Sequence, residues 1–88
     1  MFYNTECSVL DKDKSKLIDI WVDIQPYEKT LQYEDDIEVE ITARSFCDKF
    51  SEITNYGYFQ IGDKVYKIMN IKEWSDYLEC FLYQCECG

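Results

Sequence analysis

The sequence predicts a small all-β domain, a closed or nearly closed barrel of five to six antiparallel strands with at most one short helix. Three observations lead to this prediction. The 88 residues suffice for one domain, so residues 1–88 are assigned to a single unit. Aromatic residues make up 17% of the chain, which favours strands over a helical bundle. Several segments alternate apolar and polar side chains with the period of two that a half-buried strand requires.

Two strands with clear alternation are predicted in the first half of the chain, after an irregular strand over residues 3–10. Residues 17–25 place four aliphatic side chains on one face and polar side chains with one tryptophan on the other. Pro26 donates no ladder hydrogen bond, so it is expected to end or edge this strand. Residues 27–35 then become a connection or a bulged crossing. Residues 36–46 place isoleucine, valine and alanine inward, with glutamate, threonine and arginine outward.

The second half predicts one short helix and a three-stranded meander. Residues 46–55 carry apolar side chains at helical spacing, so the helix is expected there. Residues 56–61 and 64–71 are two strands joined by the Gly-Asp pair at 62–63, which suits a two-residue type II′ turn. Residues 77–86 form the last strand. Strands of this number and length predict an SH3-like barrel.

The composition excludes several classes of function. Eighteen acidic residues against nine basic ones give a net charge of −9, which disfavours a face that binds nucleic-acid phosphates. Histidine is absent, and so is a glycine-rich phosphate loop, so we expect neither an enzyme nor a cofactor. No apolar run approaches the ~18 residues of a membrane span, so no membrane partner is expected.

The five cysteines are an odd number without the spacing of a secreted disulfide framework, which indicates reduced thiols. Cys80, Cys85 and Cys87, together with Cys47 or Cys7, would supply enough thiolates for zinc. Cys80 faces away from Cys85 and Cys87 on a strand, and no CxxC pair is present. We therefore expect no metal at these cysteines.

A run of carboxylates lies where the third predicted strand begins. Asp35, Asp36, Glu38 and Glu40 suggest a calcium site or an acid–base pair. A solvated acidic strand face explains the same residues with fewer assumptions, and Arg44 then acts as a cross-strand ion-pair partner. No catalytic residue is assigned.

Three segments share their order and separation with a known family of proteins. They are residues 21–27 (WVDIQPY), residues 44–47 (RSFC), and residues 62–68 (GDKVYKI) leading into residues 73–79 (EWSDYLE). In these segments the chain resembles the small head-tail connector, or head-closure, proteins of tailed bacteriophages. The tryptophan, aspartate, glutamine and proline of the first segment are the most specific part. Members of the family usually carry a longer N-terminal segment before the tryptophan strand, and residues 1–16 are short and divergent by comparison.

The resemblance implies a virion structural protein of the phage neck, made in the bacterial host cytoplasm. Such a protein forms a homo-oligomeric ring below the portal and adaptor proteins, closes the DNA-filled head and docks the tail proteins. It is not an enzyme and needs no cofactor. DNA passes through the channel without specific binding, and the net charge of −9 is compatible with a lumen that repels phosphate.

Eight residues are the candidates for subunit or partner contacts, and all lie in or beside the resembling segments. They are Trp21, Asp23, Gln25, Tyr27, Arg44, Trp74, Asp76 and Tyr77. Outward-facing aromatic side chains either fill the barrel ends or await a partner, and both interpretations stay open. Two other functions also stay open: a tail-completion or tail-terminator protein at the same neck, and an acidic phage-encoded inhibitor or interaction module.

Overall fold

The computed structural model describes residues 3–34 and 37–85, and these residues contain six β-strands. The strands are β1 (Thr5–Leu10), β2 (Lys16–Glu34), β3 (Ile37–Cys47), β4 (Tyr58–Ile61), β5 (Lys64–Glu73) and β6 (Leu78–Cys85). They form a closed barrel in the order β1-β2-β3-β6-β5-β4, and every neighbouring pair is antiparallel. Because β4 also pairs with β1, the sheet has no open side around the barrel. The predicted all-β barrel is confirmed.

The helix predicted over residues 46–55 is wrong. Strand β3 continues to Cys47, which pairs with Leu78 of β6, so the ladder occupies the start of that segment. The rest forms turns, with the Ile53 amide donating to the Phe50 carbonyl at 3.2 Å. Ile53 is buried and Phe50 packs against the core, so the helical spacing reflects two side chains that cover one end of the barrel. No helix that could cross a membrane occurs in the residues described.

Pro26 does not end β2, which runs for 19 residues. Pro26 pairs with Ala43 of β3, and the register shifts between Pro26 and Lys29. The last residue of β2 that pairs with β1 is Val22, so beyond it one side of β2 has no ladder in the described chain for a proline to interrupt. The expected bulge is confirmed, whereas the expected connection over residues 27–35 is replaced by strand as far as Glu34.

Strands β2 and β3 extend past the barrel as a two-stranded hairpin arm. Strand β3 pairs with β6 only from Ala43 onward, and its residues before that point pair with β2 alone. We call residues 27–34 of β2 and 37–42 of β3 the β2–β3 arm. The strand alternation predicted for β3 is confirmed over the described side chains, because Ile41 and Ala43 are buried and Glu40 is exposed.

The core lies inside the barrel and is made of the inward faces of all six strands. Its fully buried side chains are Cys7, Val9, Val22, Ile41, Ser45, Cys47, Phe59, Ile68, Cys80 and Leu82. The inward faces predicted for β2 and β6 are confirmed by the burial of Ile20, Val22, Leu78 and Leu82. Such alternation requires each strand to keep one register, since a slip by one residue would turn every apolar side chain outward.

Three of the core residues are free thiols, at Cys7, Cys47 and Cys80. Burial raises the pKa of the Cys7 thiol to about 12. A hydrogen bond with the Cys47 thiol, followed by burial, also raises the pKa of Cys80. Cys7 and Cys80 therefore stay protonated, and all three buried cysteines pack as small apolar groups. Cys85 is half-buried, and Cys87 lies outside the described residues.

Glycine matters at two turns for different reasons. Gly62 has φ of 62° at the first position of the two-residue turn that joins Ile61 to Lys64, which fits the predicted type II′ turn. A Cβ on Gly62 would meet no atom within 4 Å. A Cβ on Gly57 would lie 2.9 Å from the carbonyl oxygen of Leu10, a backbone atom at the end of β1.

We expect Gly57→Ala to destabilise the barrel more than Gly62→Ala. The first substitution forces β1 and the Gly57 turn apart and costs about 2 to 3 kcal/mol, since packed backbone cannot yield freely. The second costs about 1 kcal/mol from the left-handed backbone alone. Urea unfolding of both variants measures the difference, and equal losses would contradict the steric argument.

Alkaline pH should destabilise the fold through the buried thiols. An unfolded cysteine loses its proton near pH ~8.5, while folded Cys7 keeps it up to a pKa of about 12. The free energy of unfolding therefore falls as pH rises through this range, by up to about 1.4 kcal/mol per pH unit from Cys7 alone. Cys7→Ala should show a smaller fall than the wild type. Val9→Ala, a buried truncation on the same strand, keeps the thiol and should keep the full pH dependence.

Candidate interface on the outer face of the barrel

Strand register places the outward side chains of β2, β3 and β6 in two cross-strand rows. The rows are Gln25–Arg44–Phe81 and Asp23–Phe46–Glu79. Facing residues on neighbouring antiparallel strands have Cβ atoms about 5 Å apart, so each row forms a continuous strip of contacts. The loop between β5 and β6 adds Trp74 and Tyr77 at the Glu79 end of this surface.

Arg44 occupies the middle of this surface and is held from four sides. Its guanidinium carbon lies 4.9 Å from the ring centre of Tyr27 and 5.3 Å from that of Phe46. Nε donates a hydrogen bond of 3.3 Å to the side-chain oxygen of Gln25. Nη1 lies 3.3 Å from a carboxylate oxygen of Glu79. The planar guanidinium group is therefore fixed by stacking and by directional hydrogen bonds together.

Glu79 is only 6% exposed although it points to the outside of the barrel. Trp74 covers it, and the indole Nε1 donates a 3.2 Å hydrogen bond to the carboxylate oxygen that Arg44 leaves free. A carboxylate removed from water needs such partners on both oxygens. Strand alternation predicted Glu79 as an outward side chain but did not reveal its burial, because the covering residue comes from a separate loop.

Aromatic side chains extend the surface from Glu79 to the loop between β5 and β6. Trp74 stacks on Tyr77 with ring centres 6.0 Å apart, and Tyr77 meets Phe46 edge-on at 5.8 Å. Lys72 places its ammonium 4.3 Å from the Trp74 ring centre. The Trp74 amide donates to the Tyr77 carbonyl at 2.9 Å, which closes the loop beneath the rings. These rings are held in place before any partner binds.

We call this surface the outer aromatic cluster. Its members are Gln25, Tyr27, Arg44, Phe46, Trp74, Tyr77, Glu79 and Phe81, the last in ring contact with Tyr27 at 5.6 Å. Five of the eight predicted contact residues belong to it, and Asp23 joins through a 3.3 Å hydrogen bond from Gln25. Phe46, Glu79 and Phe81 were not among the predicted contact residues; the register of β3 against β6 adds them.

The two remaining predicted residues lie beside the cluster. Trp21 is on the outward side of β2, two residues before Asp23, and is 56% exposed. Asp76 is exposed in the loop between β5 and β6, and none of the cluster contacts described above involves it. Exposed tryptophan with tyrosine and arginine is the composition typical of energetically important residues at protein interfaces. The role of all eight residues in an interface stays a prediction.

Other features of the described residues do not build a chemical site. The described residues contain no group of three or more histidine, cysteine, aspartate or glutamate side chains that could hold a metal ion. Asp35 and Asp36 of the carboxylate run lie outside the described residues. A groove of about 560 Å³ next to the cluster has Phe50, Ile53 and Leu78 in its lining, and the ion pair of Lys49 with Glu73 at 3.0 Å lies among its walls. The outer aromatic cluster is the surface most suited to contact another protein.

Glu79→Gln should destabilise the fold by about 1 to 3 kcal/mol, because it leaves the half-buried Arg44 guanidinium without its counter-charge. The single amide oxygen of glutamine can accept from only one of Trp74 and Arg44, so the loss combines the missing charge with one lost hydrogen bond. The matched control is Glu73→Gln, which removes a pair whose carboxylate side chain is 70% exposed and should cost less than about 0.5 kcal/mol. Urea unfolding measures both, and a control loss as large as that of Glu79→Gln would contradict the assignment.

The comparison with protein-family models finds no match to this chain. No curated protein matches it either. The membership in the phage head-tail connector family that the three segments suggest therefore stays a prediction. The outer aromatic cluster is the structural feature from which a function can be proposed.

Proposed function

We propose that this chain is a virion structural protein of the phage neck, which forms a ring below the portal and adaptor, closes the filled head and docks the tail. The observation that carries the proposal is the outer aromatic cluster. Residues 25–27, 44–46 and 74–79, far apart in the sequence, contribute to one surface. All three stretches belong to the segments that resemble the connector family.

The energetics of the cluster support a role in protein contact. Association costs free energy for each side chain that becomes ordered in the interface. Arg44 and Trp74 are already held by hydrogen bonds and ring contacts, so less ordering remains to be paid on binding. Trp21, Trp74 and Tyr83 nevertheless keep large exposed apolar surfaces, which a partner would remove from water.

The net charge is compatible with a ring around a DNA channel. A subunit charge of −9 repels phosphate and would let DNA pass without being held. The described surface offers no continuous basic face of the kind that binds DNA by counterion release, because aspartates accompany the lysines in residues 11–16 and 56–68.

Deletion of the gene from its parent phage tests the proposal. Negative-stain electron microscopy of the lysate should show filled or leaking heads beside finished, unattached tails. Leaking heads indicate head closure, whereas stable filled heads with incomplete tails indicate the tail-completion alternative. Normal infectious virions would contradict any role in the neck, and an interaction module directed at a host protein would then be the better interpretation.

Complementation of this deletion tests Trp21, the exposed tryptophan beside the outer aromatic cluster. Trp21→Ala removes an exposed ring, so the variant should fold normally but restore the yield of joined particles at least about ten-fold less well than the wild-type gene. Asn55→Ala, an exposed substitution in the loop after β3, should complement fully. Equal complementation by both variants, with equal amounts of folded protein, would place the partner surface elsewhere on the barrel.

A further inference from the structure

The β2–β3 arm has two unpaired backbone edges in the described chain. Beyond Val22, β2 pairs with β3 and no longer with β1. Before Ala43, β3 pairs with β2 and not with β6. At this point the Gln84 amide donates to the Thr42 side-chain oxygen at 3.1 Å instead of continuing the ladder. Exposed strand edges of this kind bind extended segments or are protected against doing so.

The glutamates of the arm disfavour its pairing with the same arm of a second copy. Its two strands carry four glutamates and one lysine, and the described Glu28 and Glu40 are exposed. Two arms paired edge to edge would bring glutamates close to glutamates, which destabilises cross-strand pairing. A surface that carries lysines would instead gain from the same charges.

Such a surface lies on the opposite side of the barrel. In the closed order of six strands, β4 is separated from β3 by two strands in either direction. On this side Lys14 places its ammonium 5.1 Å from the ring centre of Tyr58, and Lys67 lies 5.7 Å from that of Tyr56. Tyr58 and Lys67 are also direct cross-strand neighbours. We call Lys12, Lys14, Tyr56, Tyr58 and Lys67 the lysine–tyrosine patch.

The patch stands out against the overall acidity of the chain. Residues 11–16 and 56–68 together carry five lysines and three aspartates, in a chain whose net charge is −9. Asp11 accepts the amides of Asp13 at 2.8 Å and Ser15 at 2.9 Å within its own turn, and Lys16 pairs with Asp19 at 2.6 Å. The lysines of the two stretches still outnumber their aspartates, and the tyrosine rings beside them offer flat contact area.

We propose that a second copy of this chain is the occupant of the arm: the lysine–tyrosine patch of one copy binds the acidic edge of the β2–β3 arm of the next. The two patches differ and lie on opposite sides of the barrel, so the contact is heterologous and each copy uses both. Repetition of a heterologous contact produces a ring when the rotation between copies closes. This deepens the proposed function and rests on it for the ring, since the contact alone does not fix closure.

Charge reversal with rescue tests the contact on the purified full chain. Sedimentation velocity over a range of concentrations should show association at about 50 mM NaCl that weakens at about 500 mM. Glu28→Lys with Glu40→Lys, and separately Lys14→Glu with Lys67→Glu, should each lower the association constant at least about ten-fold. The control, Asp48→Lys with Glu52→Lys, changes the net charge as much as the arm variant does and should associate like the wild type.

Mixing the arm variant with the patch variant is the decisive step of the experiment. The reversed arm then meets the reversed patch, and the native arm meets the native patch, so association should return to near the wild-type constant. Failure of the mixture to recover, unchanged association of either variant, or a wild-type chain that stays monomeric would each overturn the proposal. The deletion phenotype is a separate test. Normal virions would contradict the neck role but not the contact between copies. A neck phenotype together with charge reversals that leave association unchanged would support the neck role and contradict this contact.

Discussion

Closure of one antiparallel sheet is the constraint on which the rest of this structure depends. Since β4 pairs with β1, the sheet closes on itself in the described residues, and the strands of the barrel body satisfy one another's backbone groups around its circumference. Closure also gives every strand an inside and an outside. The inside accepts branched aliphatic side chains, Phe59 and three free thiols, so most charged side chains of the described residues lie on the outer surface.

The outer aromatic cluster follows from that closure and from one register. Pairing of Arg44 with Phe81, and of Phe46 with Glu79, aligns β3 and β6 so that an arginine, two aromatic rings and a carboxylate share a face. The loop between β5 and β6 then covers the carboxylate with Trp74. An exterior in which a tryptophan covers a carboxylate paired with arginine is more ordered than a solvated barrel face, and this order supports a contact role.

The β2–β3 arm carries the strand edges that closure of the barrel leaves unpaired. Strands β2 and β3 continue past the barrel, where β1 and β6 no longer follow them, and the glutamates on these strands disfavour pairing of like with like. Acidity thus has two consequences in this chain. It disfavours pairing of two acidic edges, and it sets the lysine-bearing side of the barrel apart in charge from the arm.

The sequence by itself determined the all-β class, the faces of β2, β3 and β6, and the turn at Gly62, because each depends on a period of two or on a local backbone preference. The tertiary structure decided the features that depend on contacts between residues distant in the chain. The ladder with β6 holds Cys47 in a strand where helical spacing suggested otherwise, and the bulged pairing with β3 carries β2 through Pro26. Burial of Glu79 is of the same kind: alternation predicts which way its side chain points, but only the neighbouring loop supplies the tryptophan that covers it.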